Sequence, residues 1–366
     1  MEPPFTPLVE SLPSTVPFVG PEALERKRNR HFKARLGANE SGFGPAPSVI
    51  AAMQNNAAEA WKYADPENFD LKQALAAHLR VAPGNVAVGE GVDTLLGLVV
   101  RQYVREGTPV VTSLGAYPTF NFHVAGFGGR LITVPYRDDR EDLEALLAAV
   151  RRADAPLLYF SNPDNPMGTW WDAAEIERLI DRLPATTMLI LDEAYGETAP
   201  PTALPPIDVS RPNVLRMRTF SKAYGLAGMR CGYAIGAERQ ILAFDKIRNH
   251  FGMNRLTQIA ALAALEDQTY LRSVTQRIID ARVQIAQIAE ANGLKPIPSA
   301  TNFVTIDCGR DGPFAQALLN ALIERDVFVR KPMAPVLDRC IRVSVGVPSE
   351  LDYFAEQLPA ALAAIA

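Results

Sequence analysis

Cysteine is scarce in this sequence of 366 residues, which contains three: Cys231, Cys308 and Cys340. They are widely spaced, form no CxxC pair and are odd in number. Neither a disulfide framework nor a cysteine-based metal site is therefore expected. Isolated thiols of this kind are typical of a protein kept reduced in the cytoplasm, so we expect a cytoplasmic chain without a bound metal.

Long apolar runs and an excess of one charge are also missing. No uninterrupted apolar stretch reaches membrane-spanning length, and residues 1–7 lack the basic and apolar regions of a signal peptide. Lys and Arg number 37 against 41 Asp and Glu, a net charge of −4, which argues against a nucleic-acid surface. We expect neither a membrane nor a nucleic acid as partner.

The sequence does contain enough apolar residues, 48%, to bury a substantial core. Its length exceeds one average domain. Strand and helix patterns alternate from about residue 85 to 240, whereas beyond residue 241 the pattern changes to long helices over residues 254–290. We predict an N-terminal arm with a short helix over residues 1–38, a large α/β domain over 39–245 and a small α+β domain over 246–366.

The alternating region predicts a mostly parallel sheet covered by helices. Candidate helices span residues 142–152 and 172–183, where apolar residues recur at helical spacing. In such sheets ligands bind at the carboxyl ends of the strands. The candidate strands are residues 86–88, 110–112, 131–134, 157–160, 188–191, 214–218 and 232–235.

One polar segment, residues 219–230, follows the sixth of these strands. Thr219 and Ser221 flank an aromatic residue, Lys222 comes next, and small residues lead to Arg230. A lone lysine is usually a solvated surface charge. Where a strand ends among hydroxyls and glycines, its amine can instead form a Schiff base while the hydroxyls and the arginine bind an anion.

This segment, T-F-S-K-A-Y-G-L-A-G-M-R, resembles the lysine segment of fold-type-I pyridoxal-phosphate enzymes, within the class I/II aminotransferases. The histidinol-phosphate aminotransferase-like subgroup is the most similar, and matching motifs run from Asn39 to Arg342. The resemblance implies a fold-type-I large domain with a smaller C-terminal domain, pyridoxal 5'-phosphate as cofactor and Lys222 as the catalytic lysine. It also implies that Thr219, Ser221 and Arg230 bind the cofactor phosphate.

A second phosphate contact is predicted where the strand at 86–88 ends. A glycine-loosened turn there enters a helix, whose free N–H groups and positive dipole end suit a phosphate, although many tight turns look alike. The resemblance assigns this contact to the backbone amides of Gly91, Val92 and Asp93.

The cofactor ring has four predicted neighbours. Asp192 follows four apolar residues, where a charge is costly unless paired, and a pyridinium N–H would be a fitting partner. The resemblance gives Asn165, in N-P-D-N-P-M-G, and Tyr195 to the ring oxygen, and counts Tyr195 and Asp192 as catalytic with Lys222. His123 occupies the position of the family's stacking aromatic residue, usually Tyr.

The resemblance also implies a substrate pocket. Its predicted residues are Asn39 in the entrance loop, Asn302, Arg330, and Arg342 for an α-carboxylate or phosphate. The family's N-terminal arm usually adds a tyrosine hydroxyl, whereas this chain has Phe18 there. Separately, Tyr63 matches a residue that reaches the other subunit's cofactor phosphate, so a homodimer with a shared active site is expected.

The function predicted from these features is transfer of an amino group to 2-oxoglutarate. The donor is left open between histidinol phosphate and an aromatic amino acid such as phenylalanine. A lyase of the threonine-phosphate decarboxylase type is the alternative on the same scaffold. A non-catalytic regulator would need a DNA-binding module, for which residues 1–38 are too short.

Overall fold

The computed structural model describes residues 3–14 and 18–365. Within these residues, strands β1 to β12 are Ala34–Arg35, Val86–Gly89, Pro109–Ser113, Arg130–Val134, Leu157–Ser161, Met188–Asp192, Val214–Thr219, Gly232–Ile235, Lys295–Pro296, Phe303–Asp307, Val327–Phe328 and Cys340–Ser344. Helices α1 to α13 are Pro7–Ser11, Pro21–Arg28, Pro47–Asn56, Phe69–Leu79, Gly91–Tyr103, Pro118–Gly126, Leu143–Ala153, Ala173–Arg182, Glu238–Asp245, Arg255–Glu266, Gln268–Ala291, Gly312–Glu324 and Pro348–Ala363.

The large sheet has seven strands in the order β2-β8-β7-β6-β5-β3-β4. Neighbours from β7 to β4 are parallel, while β8 runs antiparallel to both β2 and β7. The predicted mostly parallel sheet is therefore confirmed. Each predicted strand is present, because runs of buried apolar residues bounded by turns mark strands covered on both faces.

Helices cover both faces of this sheet. On one face α5 buries Leu96 and Val100 against strand residues such as Tyr159 and Ile190. On the other face α7 and α8 bury an apolar stripe that includes Leu146. Asp142 caps α7 by accepting from the N–H of Ala145 at 3.1 Å, which fixes where that helix begins.

The packing of helix α10 does not follow the predicted domain boundary at residue 245. Its buried residues Ala260, Ala264 and Leu265 pack with Leu71 and Leu75 of α4. The contacts therefore join α10 to the large domain. The helical pattern alone could not show this, because an amphipathic stripe does not specify what covers it.

The small domain contains the antiparallel sheet β12-β10-β9 and the parallel pair β1-β11. Ala34 and Leu36 are fully buried in its core, although both lie in the segment predicted as an arm. Arg28 also forms an ion pair with Asp326 at 2.7 Å. Residues 21–36 are thus packed against the small domain. None of the described helices combines the length and apolar character needed to cross a membrane.

Candidate active site

Lys222 lies just beyond β7, at the edge where the parallel strands end. Its Nζ donates to the backbone oxygen of Asn39 at 3.1 Å and lies 5.6 Å from the centre of the Tyr195 ring. Burial, with the charges of Arg342 and Arg230, lowers the pKa of Lys222 to about 8. A sizeable fraction of the amine is therefore neutral near physiological pH, as a nucleophile or proton acceptor requires.

A recess that can bind an anion, the anion cup, lies beside this lysine. The N-terminus of α5 forms one of its walls. Gly91 has φ +82°, and a Cβ there would lie 2.5 Å from Arg230 Nη2. Glycine thus lets the guanidinium of Arg230 lie against the helix end. The helix N-cap, Glu90, makes no side-chain hydrogen bond to the first amides, so these donors can serve an anion.

The hydroxyls predicted for the phosphate line the same cup. Thr219 Oγ1 donates to Ser221 Oγ at 3.0 Å, and Arg230 Nη1 lies 3.4 Å from that same oxygen. Across the cup, a Cβ at Gly232 would lie 2.7 Å from the backbone N of Val92. The close approach of β8 to α5 therefore requires glycine. Hydroxyls, amides and a guanidinium together form the donor set that a phosphate dianion prefers.

His123 lies on α6 and faces α5. Its Nε2 is 3.1 Å from Asp93 Oδ1, and a Cβ at Gly97 would lie 2.8 Å from the ring. The imidazole is thus held against α5 by a small residue and a carboxylate. Its stacking on a cofactor ring stays a prediction.

Asp192 ends β6 and is 6% exposed. Tyr159 donates its hydroxyl to Oδ2 at 2.6 Å, and the Ala194 N–H donates to Oδ1 at 3.0 Å. Burial raises the pKa of Asp192. A buried carboxylate with two neutral donors would gain from a cationic N–H partner. Tyr159 was missed from sequence because it lies within an apolar strand, where a tyrosine indicates packing.

The strand that bears Asp192 is joined to the lysine strand by a buried ion pair. Arg216 of β7 donates to Glu193 through Nε at 3.1 Å and Nη2 at 2.5 Å, and Arg218 adds a bond at 2.9 Å. Burial opposes ionisation of Glu193, but the two arginine charges lower its pKa below the usual value. The pair fixes Asp192 relative to the residues that follow β7.

Asn39 connects the large and small domains beneath Lys222. Its Nδ2 donates to Tyr195 Oη at 3.0 Å, and its Oδ1 accepts from Ser344 Oγ at 2.8 Å. Asn302 Nδ2 donates to the backbone oxygen of Asn39 at 2.9 Å. Ser344 was missed from sequence. The signal that could have found it is strand periodicity, since it lies two residues after Arg342 on the same strand.

Arg342 reaches the site from β12. Its Nη1 donates to Asn165 Oδ1 at 2.6 Å, and its Nε has no hydrogen-bond partner among residues 3–14 and 18–365. Burial, together with the Arg330 charge, lowers the pKa of Arg342 to about 10, so it is still a cation at neutral pH. No carboxylate in the described part of the chain lies within ion-pair distance, which leaves the guanidinium available to an anion.

Arg330 and Phe18 form the outer side of this pocket. Arg330 exchanges two backbone hydrogen bonds with Arg342, at 3.1 and 2.6 Å. Its Nη1 donates to the Val19 oxygen at 2.8 Å, and its guanidinium lies 4.5 Å from the centre of the Phe18 ring. Phe18 is 43% exposed. The N-terminal segment thus covers the second arginine with an aromatic ring that has no hydroxyl.

Tyr63 is not brought to these residues within one chain. It is 80% exposed, and its aromatic neighbour is Phe251, 5.0 Å away between ring centres. Its predicted contact across a dimer interface stays a prediction.

Taken together, the site has an amine with a lowered pKa, an anion cup, a buried carboxylate and a guanidinium that forms no ion pair among the described residues. This donor set fits pyridoxal phosphate. Lys222 would hold its aldehyde, the cup around Arg230 its phosphate and Asp192 its ring nitrogen. Asn165, which accepts a hydrogen bond from Arg342, would hold the ring oxygen.

Comparison with known proteins gives the family. A model of aminotransferase class I and II matches residues 33–358. This chain belongs to the class I and II aminotransferases. The aminotransferase is 36% identical to histidinol-phosphate aminotransferase 2 of Pseudomonas aeruginosa over 333 residues, 90% of this chain and 89% of that protein.

Solved structures agree on the fold. The crystal structure of histidinol-phosphate aminotransferase from Sinorhizobium meliloti in complex with pyridoxal-5'-phosphate has a TM-score of 0.97 and 58% identity, covering 99% of this chain and 98% of that chain. L-threonine-O-3-phosphate decarboxylase from Porphyromonas gingivalis, with a TM-score of 0.75 and 19% identity over 90% of this chain and 99% of that chain, shares the fold alone. The aminotransferase therefore has the fold-type-I architecture of a pyridoxal-phosphate-dependent family.

Proposed function

We propose that this pyridoxal-phosphate-dependent aminotransferase transfers the amino group of histidinol phosphate to 2-oxoglutarate and also accepts aromatic donors such as phenylalanine. The observation that carries the proposal is a pair of arginines, Arg342 and Arg330, joined by two backbone hydrogen bonds, with Phe18 over the outer one. The relatives named above support a phosphate-bearing donor.

The chemistry divides between the cofactor and the chain. When bound, pyridoxal phosphate supplies an electron sink for the pair left at the substrate Cα when its proton is removed. Lys222 Nζ would take up that proton and later release it, a role that its lowered pKa suits. Asp192 would hold the ring nitrogen and, as a buried negative charge, would favour its protonated form.

The substrate's anionic group is bound at the other end of the site. Arg342 offers a planar fork that can hold a carboxylate through two hydrogen bonds, and its unpartnered Nε faces no competing acceptor among the described residues. Histidinol phosphate has no α-carboxylate, so its phosphate takes Arg342 and Arg330. Phe18 offers no hydroxyl to this phosphate but offers a ring face to an aromatic donor.

We further propose a cytoplasmic homodimer. Tyr63 and Phe251 form an exposed aromatic pair, and Trp61 beside them is 78% exposed, which is typical of a surface that a second copy covers. Sedimentation at micromolar concentration should give the dimer mass. A monomer that retains full activity would contradict the shared site.

Steady-state kinetics with each donor and 2-oxoglutarate, measured as glutamate formed, tests the dual preference. Both histidinol phosphate and phenylalanine should give glutamate, and failure of either one refutes the dual preference.

A single-turnover experiment distinguishes the aminotransferase from the lyase alternative. An aminotransferase leaves pyridoxamine phosphate and a keto product, whereas a decarboxylase releases carbon dioxide from threonine phosphate.

Replacing Arg342 with alanine is expected to lower kcat/KM at least about tenfold for both the amino and the keto substrate, since a hydrogen bond to a charged group contributes about 1.5–3 kcal/mol. Arg342→Lys is the matched control. It keeps the charge but loses the fork, so its loss should be smaller. Unchanged binding of 2-oxoglutarate by Arg342→Ala would show that the carboxylate binds elsewhere.

A further inference from the structure

Two buried carboxyl groups lie behind the loop that carries Asn165. Glu141 is 1% exposed and Asp164 is 2% exposed. Ser161 Oγ lies 3.5 Å from Glu141 Oε2 and 3.3 Å from Asp164 Oδ1, so one hydroxyl touches both. In the part of the chain that the structure describes, neither carboxyl forms an ion pair. Two adjacent buried carboxylates that have no ion-pair partner cannot both be ionised at low cost.

The hydrogen bonds divide the two groups into an acid and a base. Asp164 accepts from the Tyr136 hydroxyl at 2.8 Å and from the Met167 N–H at 2.9 Å, which favours its ionised form. Glu141 Oε2 accepts from the Ser161 N–H at 3.2 Å, while its Oε1 has no partner among the described residues. Protonation of Glu141 therefore costs less free energy than protonation of Asp164.

Ser113 carries a second buried hydroxyl beside Glu141. Its Oγ, like Glu141 Oε1, has no hydrogen-bond partner within residues 3–14 and 18–365. A hydrogen bond donated by this hydroxyl would lower the pKa of Glu141, but burial has the larger effect and raises it. A proton on Oε1 directed to Ser113 would satisfy both buried atoms at once.

Asp164 is coupled to the substrate end of the site. It immediately precedes Asn165, whose Oδ1 accepts from Arg342 Nη1 at 2.6 Å. The Arg342 charge lowers the pKa of Asp164, and the Asp164 charge raises that of Arg342. Since no carboxylate among the described residues forms an ion pair with Arg342, Asp164 is a nearby negative charge that balances this buried cation.

We propose that Glu141 and Asp164 form a positioning pair that holds one proton. Glu141 stays neutral, and Asp164 supplies the negative charge that balances Arg342 and fixes the loop bearing Asn165. The contribution of this charge to substrate binding rests on the function proposed for Arg342, whereas the location of the proton does not.

The pair gives the site a pH dependence of defined sign. Burial raises the pKa of Glu141 well above its usual value and that of Asp164 to about 6. The other titratable groups that face the pair are Tyr136, Tyr159 and Arg342, which do not change charge near pH 6. Asp164 therefore balances Arg342 above about pH 6 and stops doing so as the pH falls through that value.

Infrared difference spectra locate the proton without reference to activity. At pH 8 the cofactor-loaded enzyme should show the carbonyl band of a protonated carboxyl, and Glu141→Gln should lose that band. Glu197→Gln, a buried carboxyl on another part of the fold whose pKa of about 7 leaves it ionised at pH 8, should keep it. A band that survives in Glu141→Gln would overturn the assignment.

A double-mutant cycle on Tm tests the charge balance. At pH 8 the losses caused by Asp164→Asn and Arg342→Ala should not add. The Tm loss of the double variant should be smaller than the sum of the two single losses by about 2 °C or more. The reason is that each single change leaves one buried charge unbalanced. At pH 5 the two single losses of Tm should add. In the control cycle, which uses Glu141→Gln with Arg342→Ala, the losses should add at both pH values. Additive losses for Asp164→Asn at pH 8 would refute the pair.

Kinetics then separate this proposal from the proposed function. If Arg342 binds the substrate anion, Asp164→Asn should lower KM for 2-oxoglutarate about three- to tenfold at pH 8, and not at pH 5, by removing one nearby unit charge. A KM that rises equally at both pH values would reveal a merely structural role and refute the pair. Coupling in Tm without any change in KM would uphold the pair and refute the role of Arg342 in substrate binding.

Discussion

Replacing Lys222 with alanine is expected to abolish turnover and the visible absorption band that lysine-bound cofactor gives. Lys222 is placed between the anion cup and Asp192, and burial with two neighbouring arginines lowers its pKa to about 8. Loss of its amine removes both the covalent attachment and the group that moves the proton. The phosphate contacts proposed for Ser221 and Arg230 would remain, so the variant should still retain cofactor, detected by dialysis and phosphate analysis.

The control for this prediction is Lys246→Ala, because Lys246 is exposed just after α9 and lies outside the site. It should keep the absorption band and full turnover. Borohydride reduction of the wild-type enzyme followed by peptide mapping should place the pyridoxyl label on Lys222. A label on another lysine would refute the assignment.

Replacing Asp192 with asparagine is expected to leave the fold intact and slow removal of the substrate Cα proton by about two orders of magnitude, the effect typical of losing one preorganised electrostatic group. Asparagine can still accept from the Ala194 N–H and donate to the Tyr159 hydroxyl, so the local hydrogen bonds survive. A neutral amide cannot stabilise a cationic ring N–H at this buried position.

Single-turnover rates with substrate deuterated at Cα measure this step directly. Tyr159→Phe is the matched comparison, because it removes a neutral donor to Asp192 and keeps the carboxylate. Its loss of rate should be clearly smaller than that of Asp192→Asn. A wild-type rate in Asp192→Asn would show that the carboxylate does not act on the cofactor ring.

Much of the candidate site could be predicted from sequence because its residues follow strand ends. Asp192 follows an apolar run and Lys222 follows the next strand, and parallel strands bring their carboxyl ends to one edge of a sheet. Gly91 could be placed in the same way, since a glycine-loosened turn entering a helix is a local signal. The resemblance to a known family added roles that local patterns do not contain.

Residues whose position depends on distant parts of the chain could not be predicted in this way. Ser344 meets Asn39 across 305 positions of sequence, and the carboxyl pair joins Glu141 to Asp164 through a shared hydroxyl. Both acids lie outside the predicted strands and helices, where local sequence does not indicate burial. Burial is a property of the whole packed chain, so a run of a few residues does not reveal it.

The sequence by itself determined the alternating strands and helices, the lysine segment and the strand-end carboxylate, because each depends on neighbours along the chain. The tertiary structure alone decided that α10 packs on the large domain and that residues 34–36 enter the small one. It also left Arg342 without a carboxylate in ion-pair contact among the described residues. The physical reason is that pairing, burial and the resulting pKa shifts arise from side chains brought together by long-range packing.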